Sequence, residues 1–403
     1  VKILQRIKSA LLRPLSLVAP TGWAQQGGPT DSGEMVSESS ALALSAVWGC
    51  TNLLAGTIGS LPLSVYREKN GARYEDREHP LFRVLHDRPN YDQTAVDFLE
   101  FMAASVELWG NFYAEIDRGS AGRVSALTPV RPEQMVTRRL DTGEIEYRWT
   151  YNGRQKVKRD REILHVRGFG GCPLGGLSTL QVGRNVFGSA QAVDRAAASM
   201  FRNGMRPAGA MIFESYLTPE QREIAETRLV EKYAGAMNSG RPMVLEGGTK
   251  WQQFALNPED AQMLESRRFT VEEICRMFGV PPHMVGHTEN STSWGTGLEQ
   301  QTLGFQKFTL RRRLRRIEQA LEQQLLEPAD RAAGVSISFN VEGLLRGDSA
   351  GRAAFYQTMV SLGLMTINEG RARENLPPVA GGDVPRIQMQ NQPITEAGND
   401  NAS

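Results

Sequence analysis

The chain has 403 residues, 40% of them hydrophobic and 23% charged, with 46 Lys and Arg against 45 Asp and Glu for a net charge of +1. That length holds two or three domains with sizeable cores, and that composition belongs to a folded globular protein. The charge balance excludes a protein that grips nucleic acid over its whole surface, so any contact with a polyanion is local or deliberately weak.

Residues 1–18 are basic and apolar, and read either as a surface amphipathic helix or as a loosely ordered arm. Residues 19–40 are rich in Gly, Gln, Ser and Thr, a composition that predicts mobility. Apolar spacing predicts a helix over 41–56, then Pro62, a strand over 63–67 and a turn at Lys69-Asn70-Gly71. His79-Pro80 opens a short helix to Leu85, Arg88-Pro89-Asn90 breaks it, and Thr94 caps a helix reaching Trp109. Strands are predicted over 111–117, 124–128, 147–151 and 163–166, with a hairpin turn at Asp141-Thr142-Gly143. Residues 37 to about 170 therefore read as one α+β domain.

Ser178 and Gln181 form a capping box for a helix running to Asn203-Gly204. A small α/β insert follows over 205–256, with a strand at 207–213, a helix started by Thr218, Pro219 and Gln221, and strands either side of Gly247-Gly248. Asn257 and Pro258 start a second helix. Its Val271, Ile274, Cys275 and Phe278 fall on one stripe, and Gly279 and Pro281-Pro282 end it. A polar loop over 287–297 leads into about 29 residues of helix, roughly 44 Å long at the α-helical rise. Leu303, Leu310, Leu314, Ile317, Leu321 and Leu325 are expected on one face of it, and Arg311, Arg312, Arg313, Arg315 and Arg316 lie along it. A strand over 335–341, helices over 350–362 and 366–375, and an unfolded tail from Pro377 complete the reading.

Chemistry is sparse. Cys50, Cys172 and Cys275 stand far apart with no CxxC spacing, which predicts a reducing compartment and no zinc. No apolar run approaches the ~18 residues of a membrane span, and the beginning shows no secretory pattern. The best enzyme-like feature is a strand, a glycine-rich loop and a helix over 162–181, a context in which phosphates are cradled. Neither GK[ST] nor GxGxxG occurs there, and a structural turn is the plainer reading. His283 and His287 are four apart, but Pro282 and Gly286 interrupt a regular face and no third metal ligand is evident. No catalytic residue, metal or cofactor is expected. The arginines admit three readings: a solvated face paired with Glu318 and Glu322, ion pairing between subunits, or phosphate contact. Trp294, in its polar loop, is either a local anchor or an aromatic that needs a surface to lie against.

The run NPEDAQMLESRRFTVEEICRMFGVPPHMVG, a Ser/Thr-rich loop, and LEQQTLGFQKFTLRRRLRRIEQALEQQLL resemble the core of tailed-phage portal proteins. Upstream, SAVWGCTNLLAGTIGSLPLSVYR, LFRVLHDRPN, ILHVRGF and FRNGMRPAGAMI resemble the same family in the same order, so the likeness spans about 37–378. One departure is visible, since the family's loop often carries a Tyr near the place of Trp294. The resemblance implies a multi-domain α+β subunit. Its parts would be a mobile arm (1–36), a wing (37–177), a stem helix (178–204), a clip (205–257), a second stem helix (258–279) and a tunnel-loop region (280–297). The long tunnel helix with the rest of the wing (298–347), a crown (348–378) and a disordered tail (379–403) would follow. It implies a homo-oligomeric ring of twelve at a capsid vertex in the virion, assembled in the host cytoplasm, through which double-stranded DNA passes. Partners would be the large terminase, the head-tail adaptor and the major capsid protein, with no membrane. Thr288, Asn290, Ser291, Thr292, Ser293, Trp294 and Thr296 would face the channel, and Arg222, Arg228 and Glu231 would lie on the docking clip. The same ring in a gene-transfer or defective prophage particle, and a nucleotide-binding enzyme built on 168–178, are the alternatives.

Overall fold

The computed structural model describes residues 30–69, 71–119, 122–170, 172–203, 209–212, 218–220, 223, 250–253, 258–287, 295–341, 349–374 and 376–385. The predicted N-terminal arm, most of the insert, Arg222, Arg228, Glu231 and the loop residues from Thr288 to Trp294 lie outside the described residues. Two compact units divide the chain, 1–339 and 340–403.

The first unit begins with α1 (Glu38–Leu42) and α2 (Ser45–Gly59), where the sequence predicted one helix. Ser37 caps α1 through a capping box with Ser40. Strands β1 (Leu63–Lys69) and β2 (Ala72–Glu75) form a hairpin. His79 caps α3 (Pro80–Phe82), accepting the Leu81 N–H, and the helix continues as a π turn, Arg83–Asp87. Thr94 and Asp97 form the capping box of α4 (Ala95–Trp109), which ends at Gly110 in the left-handed conformation (φ +72°).

Strands β3 (Asn111–Arg118) and β4 (Val124–Val130) are antiparallel neighbours. Strands β5 (Val136–Arg139), β6 (Ile145–Tyr151) and β7 (Arg154–Arg159) form a separate meander. Strand β8 (Ile163–Arg167) returns to the far side of β3. The predicted 178–203 helix is two, α5 (Thr179–Val182) and α6 (Arg184–Asn203). The break falls at Gly183, where an added Cβ would come 2.8 Å from the Phe187 ring and 3.0 Å from the Met277 methyl. Within the insert, β9 (Gly209–Ile212) pairs antiparallel with β10 (Lys250–Gln253).

Helix α7 (Pro258–Phe278) packs along α6 and against α2. Its Ile274, Cys275 and Phe278 join Val47, Cys50, Leu54, Phe187 and Phe305 in the main helical core, as the apolar stripe predicts. Helix α8 (Gly295–Gly304) starts three residues before the predicted Leu298, so Thr296 sits on the helix rather than in the loop. The predicted long helix is not uniform: α8 passes through a π segment, Phe305–Leu310, into α9 (Arg311–Leu325). That wider turn alters the phase of the apolar face. Phe305 and Leu310 are buried with Leu314, Ile317, Leu321 and Leu325, whereas Leu303 is 54% exposed and leaves the predicted stripe. After α10 (Pro328–Ala332), β11 (Val335–Phe339) pairs antiparallel with β1, Leu63 opposite Phe339. The three-stranded sheets thus read β11-β1-β2, β4-β3-β8 and β5-β6-β7.

The second unit contains α11 (Ser349–Ser361) and α12 (Ile367–Arg373), the latter capped by Thr366 with Glu369. The tail predicted to be unfolded is held at its start. Asn368 accepts the Val379 N–H at 2.8 Å and donates to the Val379 carbonyl at 3.0 Å and the Asp383 carboxylate at 2.8 Å. The side chain of Asn368 supplies backbone-like partners that the Pro- and Gly-rich composition did not reveal.

Candidate channel element and its anchorage

The loop predicted to face a channel is flanked by α7 and α8, and the C-terminal end of α7 is clasped to the π segment and α9 that follow α8. Gly279 ends α7 with φ +67°, the left-handed geometry that suits glycine. Arg313 of α9 donates to the last α7 carbonyl, Phe278, at 2.9 Å, and Thr309 donates to the Gly279 carbonyl at 2.7 Å. A cation at a helix C-terminus also opposes the helix dipole. The same guanidinium makes a bidentate pair with Glu107 of α4 at 2.6 and 2.8 Å, both side chains being largely buried. Arg313 therefore joins α4, α7 and α9 at one point. Beyond the prolines, Pro282–Val285 forms a 3-10 turn and Gly286 takes φ +84°. There His287 Nε2 lies 3.8 Å from Glu272.

The other arginines divide. Arg315 pairs with Glu318 at 3.3 Å, one of the two carboxylates expected for it. Arg311 and Arg312 are exposed. Arg316 is half-buried; burial first, and then the neighbouring Arg312 charge, lower its pKa. Glu322 does not serve an arginine as expected; it accepts the Ile337 N–H at 3.1 Å, and Glu318 accepts the Phe339 N–H at 3.0 Å. On β8, Gln324 accepts the His165 N–H at 2.8 Å and donates to the His165 carbonyl at 3.0 Å. Polar side chains of α9 thus satisfy backbone groups on two edge strands, β11 and β8. Sequence reasoning missed Glu107 and Gln324; the one visible sign was a carboxylate, Glu107, in the otherwise apolar last turn of α4.

The glycine-rich loop is filled by the protein's own backbone. Gly168 N–H donates to the Gly110 carbonyl at 2.7 Å, Gly176 N–H to Asn111 Oδ1 at 2.9 Å, Leu177 N–H to the Phe169 carbonyl at 2.6 Å and Gly175 N–H to the Cys172 carbonyl at 3.2 Å. A Cβ on Gly176 would collide with the backbone of Gly110 and Gly168. Asn111 Oδ1 also meets His165 Nε2 at 3.0 Å, and Tyr147 Oη meets His165 Nδ1 at 3.1 Å. Asn111 Nδ2 donates to the Trp109 carbonyl at 3.1 Å, so its Oδ1 is the accepting atom. His165 then carries its proton on Nε2 and accepts from the Tyr147 hydroxyl. Burial holds His165 well below the usual histidine range and, with smaller charge effects, pushes the Tyr147 hydroxyl up to about 12. The N–H groups of Gly168, Gly175, Gly176 and Leu177 are thus spent on closing the loop. Among the described residues, no group of three His, Cys, Asp or Glu side chains is placed to hold a metal ion, and no helix is long and apolar enough to cross a membrane.

Comparison with known proteins gives one family. The model of the family described as phage portal protein matches residues 45–375. The portal protein of Enterobacteria phage HK97 is 37% identical over 389 residues, covering 95% of this chain and 91% of that one. The probable portal protein of Streptomyces phage phiC31 is 30% identical over 375 residues, covering 88% and 79%. Among solved structures, the virion of a native gene transfer agent particle matches at TM-score 0.64 and 23% identity, covering 93% of this chain and 99% of that one. The mixed helix-and-sheet fold is therefore that of portal proteins, and the matched span 45–375 contains both the clasp around Arg313 and the glycine loop. This chain belongs to the phage portal protein family.

Proposed function

We propose that twelve copies of this chain close into a ring at one capsid vertex of a virion and that double-stranded DNA passes through its centre. The observation that carries the reading is the family match over 45–375 with 37% identity to the HK97 portal protein. A neck of a native gene transfer agent particle, computed with C12 symmetry, has the same fold at TM-score 0.61, which supports twelvefold assembly. In this reading residues 37–177 and 298–347 form the wing, α5–α6 and α7 the stem, 205–257 the clip, and 348–378 the crown. The segment over 288–294 with Trp294 lines the channel, and the α8–π–α9 element is the tunnel helix behind it. Arg311, Arg312 and Arg316 are the arginines proposed to face a neighbouring subunit or DNA, since Arg313 is committed to Glu107 and Arg315 to Glu318.

The protein works mechanically and catalyses nothing. The clip, through Arg222, Arg228 and Glu231, docks the large terminase during packaging and the head-tail adaptor afterwards, while the wing meets the major capsid protein. The subunit assembles in the host cytoplasm. A near-neutral wall suits a passage, because heavy phosphate neutralisation adds affinity and would hold a moving polyanion. Purified protein is tested by negative-stain microscopy and native mass, then by packaging of nuclease-protected DNA with Trp294→Ala or a deletion of 290–295. Rings of unchanged size with less protected DNA are expected. A monomer under all conditions, or equal protection with equal rings, overturns the ring or the loop assignment respectively.

A further inference from the structure

Two cysteines that are 225 residues apart in sequence meet in the helical core. Cys50 of α2 and Cys275 of α7 place their sulfur atoms 3.9 Å apart, with Cys50 Sγ–H donating to Cys275 Sγ. Both are buried and reduced in this structure. The contact joins a helix of the N-terminal α+β region to the helix that leads into the clasp at Gly279. Closing it to the roughly 2.05 Å of a disulfide asks for a small shift of two helices already packed together.

A cavity lies within one helical turn of each cysteine, although neither sulfur lines it. This cavity, of about 260 Å³, is lined by Ala46, one turn before Cys50, and by Val271 and Ile274, one turn before and next to Cys275. Arg267 and Arg268 line it too, and both are exposed, so the cavity opens to water.

We propose that Cys50 and Cys275 are an oxidation site, and that peroxide converts them to a disulfide which fastens α2 to α7. Cys275 accepts the Cys50 hydrogen, which lowers its pKa, and the step is written with Cys275 as the attacking sulfur. Its thiolate attacks one oxygen of hydrogen peroxide, giving a sulfenic acid and releasing hydroxide. The Cys50 sulfur then attacks the Cys275 sulfur, expelling hydroxide, and a sulfur–sulfur bond forms. In sum two thiols and one peroxide give one disulfide and two waters, with two electrons passing to the peroxide. A reducing cytoplasm keeps the pair open. In the virion reading, the bond forms after the particle leaves the cell and closes a 225-residue span within each subunit.

The test uses the full-length purified protein treated with hydrogen peroxide and then with dithiothreitol. Peroxide is expected to lower the intact mass by about 2 Da and to yield a proteolytic fragment pair linking Cys50 to Cys275. The thermal midpoint should rise, and dithiothreitol should reverse both changes. Cys172→Ser, altering the third buried cysteine, should leave the link intact. Cys275→Ala should abolish it. A mass gain from added oxygen without a link, or full alkylation of Cys50 and Cys275 on unfolding the treated protein, overturns the proposal. These readouts are chemical and come from single subunits. They stand or fall apart from the ring and packaging assays that test the portal reading.

Discussion

Gln324 of α9 makes both a donor and an acceptor bond to the backbone of one residue, His165, at 3.0 and 2.8 Å. Its side-chain amide takes the place of a further strand beside β8. Together with Glu318 and Glu322 on β11, it makes one helix the polar boundary of two sheets. An edge strand whose backbone groups are occupied offers no template for pairing with another chain.

Removing that boundary exposes buried backbone. Gln324→Leu keeps the apolar stem but leaves the His165 N–H and carbonyl unpaired, an expected loss of about 1–3 kcal/mol. Gln324→Glu is expected to be worse, since a carboxylate beside the His165 carbonyl cannot donate. Urea unfolding midpoints of the two variants check the order.

Arg313 and Glu107 are tested as a pair. Arg313→Ala leaves the Glu107 carboxylate buried without its cation, and an expected ~3–5 kcal/mol is lost. Glu107→Gln is expected to lose less than Arg313→Ala, because Arg313 keeps the Phe278 carbonyl at 2.9 Å and the Thr309 carbonyl at 3.2 Å. Arg311→Ala and Arg312→Ala, at exposed positions, should fall within about 0.5 kcal/mol of the parent. Equal losses at all three arginines would contradict the assignment of Arg313 as the joint between helices.

The glycine loop separates a structural role from a nucleotide site. Gly176→Ala forces a Cβ into the backbone of Gly110 and Gly168, and is expected to destabilise by ~1–3 kcal/mol or more. The same variant and the parent should show no heat of ATP binding by calorimetry. Saturable binding by the parent, lost in Gly176→Ala, would revive the enzyme reading.

His165 links stability to pH. Its folded pKa lies well below the ordinary 6.5 because it is buried and, secondarily, because the Arg167 charge opposes its protonation. The unfolded chain therefore binds the extra proton more readily. The stabilisation is complete above the unfolded pKa and declines as pH falls below about 6.5 toward the folded value, with a slope approaching one proton. Urea midpoints between pH 7.5 and 5 should show this component, and His165→Gln should lack it while being less stable at pH 7.5.

Much of the local structure is legible in the sequence. Thr94, His79-Pro80 and the stripe through Ile274 and Phe278 are signals whose causes lie within a few residues, and each element appears where its signal does. Strand β7 was not legible because Arg154, Lys156, Lys158 and Arg159 give no apolar alternation at a sheet edge. The π segment has no signature beyond Gly304, and it moved Leu303 out of the stripe. Long-range choices were hidden as well. Gln324 reads as an ordinary helix-surface residue, and nothing near Cys50 announces Cys275. The channel-loop and clip residues named from the family resemblance fall outside the described residues, apart from Thr296, whose helix begins earlier than its spacing suggested.

The pairing of β1 with β11 has a consequence for synthesis. Leu63 waits for Phe339, which a ribosome adds 276 residues later, an interval of roughly 15 to 55 seconds at ordinary elongation rates. Throughout it β1 has only β2 beside it, and one flank of the hairpin is open to neighbouring nascent chains. The domain begun first is therefore among the last to be completed, and a chain truncated before β11 carries an open edge. Such fragments should aggregate more readily than the full-length chain.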